Sequence, residues 1–364
     1  MGVAILTYFF CEIPRRMALQ DPRRAPAADE RAGPLRVLVT GAAGMIGRKL
    51  CARLAADGAI AGRQIESVHL VDVVAPTPPA GARFAASCDA LDLAAPSTAA
   101  KAIAARPDFV FHLAAVVSGE AESDFDKGYA VNLDATRALF EAIRHVGGQS
   151  GGAYRPRLVY ASSIAVFGAP FPETIDDDFL AAPLTSYGAQ KAIAELLVAD
   201  YSRRGIFDGV ALRLPTVVVR PGPANRAASG FFSSIVREPL SGREAILPAP
   251  ETTRLWCASP RAAVGFFLHA AALDPDRLGP RRSLTMPGLS TTVGEQIEAL
   301  RRVGGDAAVR LIHRQPDESS VRIVAGWPGR FDTRRAQALG FIAESSFDEI
   351  IRVFMEDDHV AAVA

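Results

Sequence analysis

Residues 35–47 read LRVLVTGAAGMIG, a short apolar run that opens into Thr40-Gly41-Ala42-Ala43-Gly44-Met45-Ile46-Gly47. The run Leu35 to Val39 is too short for a helix and ends in a turn signal, so it reads as a buried strand. From Ile46 the apolar residues recur every four positions (Ile46, Leu50, Leu54), the stripe of an amphipathic helix. Three glycines therefore lie at a strand-to-helix junction. Gly41 permits the tight turn, Gly44 lets the backbone approach a pyrophosphate, and Gly47 lets helix and strand pack closely. The first N–H groups of the helix are left for the phosphates.

The alternation continues outward. Val68 to Val73, Phe109 to Leu113, Leu158 to Tyr160 and Val210 to Leu214 read as buried strands, and Val131 to Ile143 and Ala189 to Tyr201 have helical period. Such alternation predicts an α/β fold, a Rossmann-type doubly wound parallel sheet, over residues 35–215. Beyond Pro215 proline and glycine become frequent, so residues 216–364 are expected to form mainly a smaller C-terminal substrate-binding lobe. Ser283 to Met286 is expected to return to the sheet as a strand. Asp57 to Ser67 reads as an extra loop and Gly147 to Gly152 as a flexible one. Residues 1–34 mix Pro, Ala and charge and read as a disordered leader, with Met17 as a second candidate start.

Composition excludes several classes. The 364 residues carry 40 basic and 40 acidic side chains, so no global field gathers nucleic acid or an anionic membrane. Val3 to Phe10 is too short to span a bilayer. Cys11, Cys51, Cys88 and Cys257 contain no C-x-x-C, and the six histidines no H-x-x-x-H, so no metal site is expected. The cysteines read as reduced, mostly buried thiols of a cytoplasmic protein. The oligomeric state stays open, with a homodimer as one expectation.

A dinucleotide needs an acid at the end of the second strand to accept hydrogen bonds from the adenosine ribose. Asp72 ends the run Val68 to Val71, 25 positions after Gly47. No arginine follows it closely, so NAD is expected over NADP. Further on, Tyr187 and Lys191 lie four apart on a helix, hence on one face. A free phenol has a pKa near about 10. A neighbouring lysine and the positive nicotinamide ring favour the phenolate, which makes a usable base. Tyr160-Ala161-Ser162-Ser163 leaves a strand's C-terminal end, where a hydroxyl can bond the substrate oxygen.

With these elements in this order, the chain resembles the short-chain dehydrogenase/reductase superfamily, in its extended epimerase/dehydratase branch. The likeness rests on Thr40 to Gly47, Asp72, Asp89 after a strand, His112-Leu113-Ala114-Ala115, Asn132, Ser163, Tyr187 and Lys191. It implies NAD bound by Gly41, Gly44, Met45, Ile46, Gly47 and Asp72, with Asp89 and Ala90 at the adenine. Leu113, Ala114, Ala115 and Pro215 would border the cofactor. It further implies Tyr187 as base, Lys191 on the nicotinamide ribose, Ser163 as the catalytic serine, and Asn132 supporting the active-site helix.

The extended branch usually carries R-x-x-N-V-Y-G-P; here Arg213-Leu214-Pro215 is followed by Thr216, and Val218-Val219 replace Y-G. Val117 to Asp126, Trp256 to Arg261 and Phe331 to Arg335 instead resemble the D-erythronate dehydrogenase group. That likeness implies oxidation of the 2-hydroxyl of a small sugar acid with NAD. A nucleotide-sugar epimerase or dehydratase holding NAD tightly is the alternative, and an NAD-responsive regulator a third class. For the sugar acid, Ser118 and Ser163 are candidate hydroxyl partners, and Arg254 and Arg226 candidate carboxylate clamps.

Overall fold

Val37 and Val39 face one buried cluster and Leu38, between them, faces another. A strand buried on both faces belongs in a parallel sheet with helices on either side. The computed structural model has this architecture; it describes residues 33–222, 229–318, 321, 324 and 326–358. Nearly all of the expected leader, Cys11 and Arg226 lie outside the described residues.

The N-terminal strands are β1 (Leu35–Thr40), β2 (Ala59–Ile60), β3 (Arg63–Asp72), β4 (Ala85–Ala90), β5 (Phe109–His112), β6 (Arg157–Ser163) and β7 (Asp208–Leu214). Beyond them lie β8 (Thr216–Val217), β9 (Ala245–Leu247), β10 (Arg254–Ala258), β11 (Ser283–Thr285), β12 (Leu289–Thr292) and β13 (Ile312–Arg314). The main sheet runs β11-β7-β6-β5-β1-β3-β2, with β4 also on β3. All its pairs are parallel except β2 with β3.

The helices are α1 (Met45–Asp57), α2 (Thr98–Ile103), α3 (Ser118–Ser123), α4 (Phe125–Tyr129), α5 (Ala135–Gln149), α6 (Ser186–Arg203), α7 (Gly230–Leu240), α8 (Pro260–Ala272), α9 (Val293–Val309), α10 (Arg334–Ala338) and α11 (Phe347–Asp357), among the described residues. Leu50 and Leu54 of α1 and Phe266 and Phe267 of α8 cover the face of Val37 and Val39. Ile103 of α2, Leu139 and Phe140 of α5, and Ala194 and Val198 of α6 cover the face of Leu38. Strand order reverses between β1 and β5, whose last residues Thr40 and His112 are register partners. A ligand crevice opens at such a reversal, at the strands' C-terminal ends.

The C-terminal portion has its own core around Phe232, Leu300, Ile350 and Phe354. It carries the sheets β12-β10-β8 and β13-β9. Trp256 of β10 and Phe331 pack on Ile164, Val166 and Phe167, the residues that leave β6.

Local readings differ from the structure in four places. Asp57 to Ser67 is no loop: β2 and β3 form a hairpin whose turn, Ala61-Gly62, has φ of 51° and 77°. Two positive φ values make a turn that matches strand twist, but alanine there gives no sequence signal. Gly147 and Gly148 are helical, because α5 runs to Gln149, and Ser150 Oγ donates to the Gly147 carbonyl while accepting from Tyr154 N. Asp89 lies within β4 rather than after a strand; β4 is an exposed edge of small residues and so lacks an apolar run. The helix read from Val131 begins as a π-turn, Ala130–Asp134, before α5.

Asp208 at the start of β7 joins Arg157 (2.6 Å) and Arg282 (2.9 Å), and Arg157 also donates to the Ala270 carbonyl. Arg157 is 6% exposed. Asp208→Ala leaves that guanidinium buried without its counter-charge, an expected cost of about 3 kcal/mol. A urea melt with a lower midpoint and unchanged slope is the expected result, and Asp208→Asn, which still accepts, should lose less.

Candidate active site

The loop after β1 is shaped by contacts that no side chain would survive. A Cβ on Gly47 would stand 2.1 Å from the Gly41 carbonyl oxygen, and one on Gly41 2.6 Å from Ala114 N. Gly41, at φ 75°, and Ala42 both donate their N–H to the Val71 carbonyl, closing the turn against β3. Helix α1 begins after Gly44 with no side-chain cap and no acid in its first turn. Its leading N–H groups therefore meet no competing carboxylate, which suits a pyrophosphate.

Asp72 ends β3 and accepts from Ala43 N at 2.9 Å through Oδ2, leaving Oδ1 with only a long 3.5 Å contact to Val74 N. That free oxygen is the kind of acceptor a ribose diol requires. Asp89, one strand over, accepts from or pairs with His69 Nε2 at 2.7 Å, with Ala90 exposed beside it. The residues present fit a dinucleotide.

From the loop a buried hydrogen-bonded chain crosses the sheet. Thr40 Oγ1 meets His112 Nδ1 at 2.6 Å, and His112 Nε2 meets Thr136 Oγ1 at 2.9 Å. Thr136 donates to the Asn132 carbonyl at 2.8 Å. A carbonyl can only accept, so the Thr136 hydroxyl must commit its proton there and accept from His112 Nε2–H. Burial and the nearby Lys191 push His112 down to about 3, so the ring is neutral and Nδ1 accepts from Thr40. Every proton in the chain is thus assigned by exclusion. Asn132, itself fully buried, uses Oδ1 to accept from Val116 N and Nδ2 to donate to the Val116 carbonyl and to Gln190 Oε1.

Ser163 ends β6, and Tyr187 and Lys191 lie in the first turns of α6, whose N-cap Thr185 accepts from Gly188 N. Burial raises Tyr187 to about 12, and a hydrogen bond with Ser163 acts the other way. Lys191 is 2% exposed and donates to the Ala161 carbonyl at 2.8 Å, with Nζ 5.6 Å from the Tyr187 ring centre. Burial lowers it to about 7, opposed by the charge of Glu195. The expectation that the lysine and the nicotinamide ring together favour the phenolate concerns the NAD-bound protein; in the chain alone burial sets the direction of the phenol. Ser162, next to Ser163, points away and donates to Glu195 Oε1 at 2.5 Å. Glu195 is also held in a two-pronged pair by Arg213, at 2.7 Å to Oε2.

The other residues singled out in the sequence fall around this centre. Leu113 N donates to the Thr40 carbonyl, Ala114 N lies 3.5 Å from Thr40 Oγ1, and Ala115 is exposed. Pro215 is buried where β7 gives way to β8, and Ser118 is the first residue of α3. Arg254 stands apart: it reaches Ser290 and Glu295 and borders a cavity of about 450 Å³ with Glu173, Trp327 and Arg330. None of Ser163, Tyr187 and Lys191 lines that cavity. Glu195 and Gln190 went unnoticed in the sequence, although Glu195 lies one turn beyond Lys191 on the same helical stripe. Among the described residues no cluster of three or more His, Cys, Asp or Glu could hold a metal, and no helix is long and apolar enough to cross a membrane.

The NAD dependent epimerase/dehydratase family matches residues 37–259. A D-erythronate dehydrogenase of Cupriavidus necator is 47% identical over 331 residues, 90% of this chain and all of the relative. One from Haemophilus influenzae is 40% identical over 324 residues, 89% of this chain and again all of the relative. A crystal structure described as the nucleoside-diphosphate-sugar epimerase from Agrobacterium tumefaciens is 58% identical, with a TM-score of 0.88 over 91% of this chain and 96% of that one. The chain belongs to the NAD-dependent epimerase/dehydratase family, and NAD is its cofactor.

The depth of Lys191 has a measurable cost. Its pKa in the fold, about 7, lies below the unfolded value near about 10.4, so the unfolded chain binds more protons between them. The penalty is fully present below pH 7 and disappears as pH rises toward 10. Lys191→Met, which removes the charge, should therefore melt higher than the parent at pH 6, with the gap closing by pH 10. Calorimetric scans of both proteins across that range check it.

Proposed function

We propose that this protein is an NAD-dependent dehydrogenase that oxidises the 2-hydroxyl of a small sugar acid, D-erythronate in the first instance. The observation that carries the reading is the full-length likeness to two D-erythronate dehydrogenases at 47% and 40% identity. The geometry around Ser163, Tyr187 and Lys191 supports it.

In this reading NAD, held by the glycine loop (Gly41, Gly44, Met45, Ile46, Gly47), Asp72, Lys191 and the stretch Leu113 to Ala115, supplies the acceptor for hydride. Tyr187 takes the proton of the 2-hydroxyl. Ser163 donates to the same oxygen and fixes it beside the phenol. Lys191, once Tyr187 is deprotonated, is the adjacent cation that balances the phenolate, since the two charges favour each other at close range. Asn132 holds the loop before α3, and Ser118 offers a hydroxyl with no protein partner among the described residues. Arg254 would serve as the carboxylate clamp only for a substrate that spans from Ser163 and Tyr187 to the cavity Arg254 borders; Arg226, the other candidate, lies outside the described residues.

Purified protein with NAD and D-erythronate at mildly alkaline pH should accumulate NADH steadily. Tyr187→Phe removes one oxygen and leaves the packing, so turnover should fall by about 10²–10⁴-fold while NAD binding stays near normal. A Tyr187→Phe protein turning over at the parent rate would overturn the mechanism. The likeness to the Agrobacterium nucleoside-diphosphate-sugar epimerase favours a second reading, nucleotide-sugar epimerisation with the hydride returned to the sugar. Interconversion of a nucleotide sugar with no NADH from any four- to six-carbon sugar acid would decide for it.

Asp72 should set the choice of dinucleotide, because its carboxylate repels a 2′-phosphate and its Oδ1 is open to a ribose hydroxyl. Asp72→Ala should raise the Michaelis constant for NAD and spare or improve that for NADP. A parent protein already better with NADP would refute the assignment.

A further inference from the structure

We infer that Gln190 is a positioning residue: through its amide oxygen it holds Asn132, and through Asn132 the Val116 backbone, in register with the helix that carries Tyr187. Gln190 occupies α6 between Tyr187 and Lys191 and is wholly buried. Its Oε1 accepts from Asn132 Nδ2 at 2.8 Å. The second Nδ2 proton goes to the Val116 carbonyl at 3.2 Å, and Asn132 Oδ1 accepts from Val116 N at 2.9 Å. Both Nδ2 protons are therefore committed, one to a backbone carbonyl and one to Gln190, while Oδ1 accepts from the same backbone unit.

The other half of the glutamine amide shows what the residue is for. Nε2 is buried with no hydrogen-bond partner among the described residues. A Cβ on Gly128 of α4 would come within 2.8 Å of it and within 3.1 Å of Ala121, so α4 closes on this amide only because it presents a glycine there. A buried N–H without an acceptor is destabilising, and an apolar side chain of the same length would avoid that cost. The bond from Asn132 is the favourable interaction that the amide makes. Its effect falls on Val116 and the step into α3, which begins at Ser118, rather than on the Leu113 to Ala115 stretch proposed to border NAD. Three pieces of chain meet at this point: the loop after β5, the π-turn Ala130–Asp134, and α6.

The kinetic consequence rests on the proposed dehydrogenase reading; the structural one does not. Hydrogen exchange on the whole chain follows the Val116 amide in the parent, Q190M and Q190E. Methionine keeps the length and loses the acceptor, whereas glutamate keeps an acceptor oxygen. Val116 should exchange about tenfold faster in Q190M and near the parent rate in Q190E, with Leu158 and Val159 of β6 unchanged in both. Gln190→Ala replaces Q190M if that variant fails to fold. With the substrate that yields NADH, the sugar-acid Michaelis constant should rise about tenfold in Q190M while that for NAD moves less than about twofold. Parent-like exchange at Val116 in Q190M, or equal loss in Q190M and Q190E, overturns the inference. So does a parallel rise of both Michaelis constants. The exchange result is the same whether or not a sugar acid is the substrate, so its failure and that of the functional reading are told apart.

Discussion

Helix α1 lies where it does because nothing projects from Gly47. With its would-be Cβ 2.1 Å from the Gly41 carbonyl, the helix sits on the turn itself, and the turn in turn rests on Ala114 at the end of β5. Two strand ends and one helix start are thereby fixed against each other at the point where strand order reverses. The pairing of Thr40 with His112 follows from that register, and from His112 the hydrogen-bonded chain runs to Thr136 and the Asn132 carbonyl. Asn132's side chain then reaches α6 through Gln190. A cofactor loop and a catalytic helix on separate crossovers are in this way referred to one backbone contact.

The second constraint is electrostatic. Lys191 and Tyr187 both lie where desolvation disfavours charge, which moves the lysine down to about 7 and the phenol up to about 12. Burial thus disfavours charge on both members, and ionising one lowers the cost of ionising the other. The charge of Glu195, a buried residue, opposes that shift in the lysine. That carboxylate is itself sustained by Arg213 and the Ser162 hydroxyl. Ser162 and Ser163, adjacent in sequence, therefore serve opposite sides of β6: one supports the charge behind the lysine, the other faces the phenol.

How much of this the sequence disclosed depends on whether a feature leaves a local signature. Strands buried on two faces leave continuous apolar runs, so β1, β3, β5, β6 and β7 were legible to within a few residues. β4 was not, since an exposed edge of Ala, Ser and Cys has neither run nor alternation. The hairpin at Ala61-Gly62 was missed because its first turn residue is an alanine at positive φ. In the site, Tyr187 and Lys191 stood out by their spacing, but nothing local separates Gln190 from a solvated glutamine. Its role exists only once α4 and the π-turn are folded against α6. Arg254 shows the converse: it was singled out as a cation of the C-terminal lobe able to clamp a carboxylate, yet its partners Ser290 and Glu295 are set by the β10–β12 pairing, which the sequence does not reveal.

The relatives carry two different descriptions, dehydrogenase and epimerase, and the roles proposed for Ser163, Tyr187 and Lys191 would serve either. They differ in whether the hydride stays on the dinucleotide or returns to the sugar, and therefore in how the unreacting part of the substrate is held. In the stretch after β7 Thr216 stands where the extended branch usually carries an asparagine, and Val218 and Val219 are wholly buried. Two valines packed into the C-terminal core against Phe232 and Leu255 offer no polar side chain to a sugar diphosphate. A small acid needs less: one cation, a few hydroxyls and the phenol. The polar groups proposed to answer that description are Ser118 and Ser163 at the C-terminal ends of the sheet and Arg254 of the C-terminal lobe, so the proposed reading draws on both.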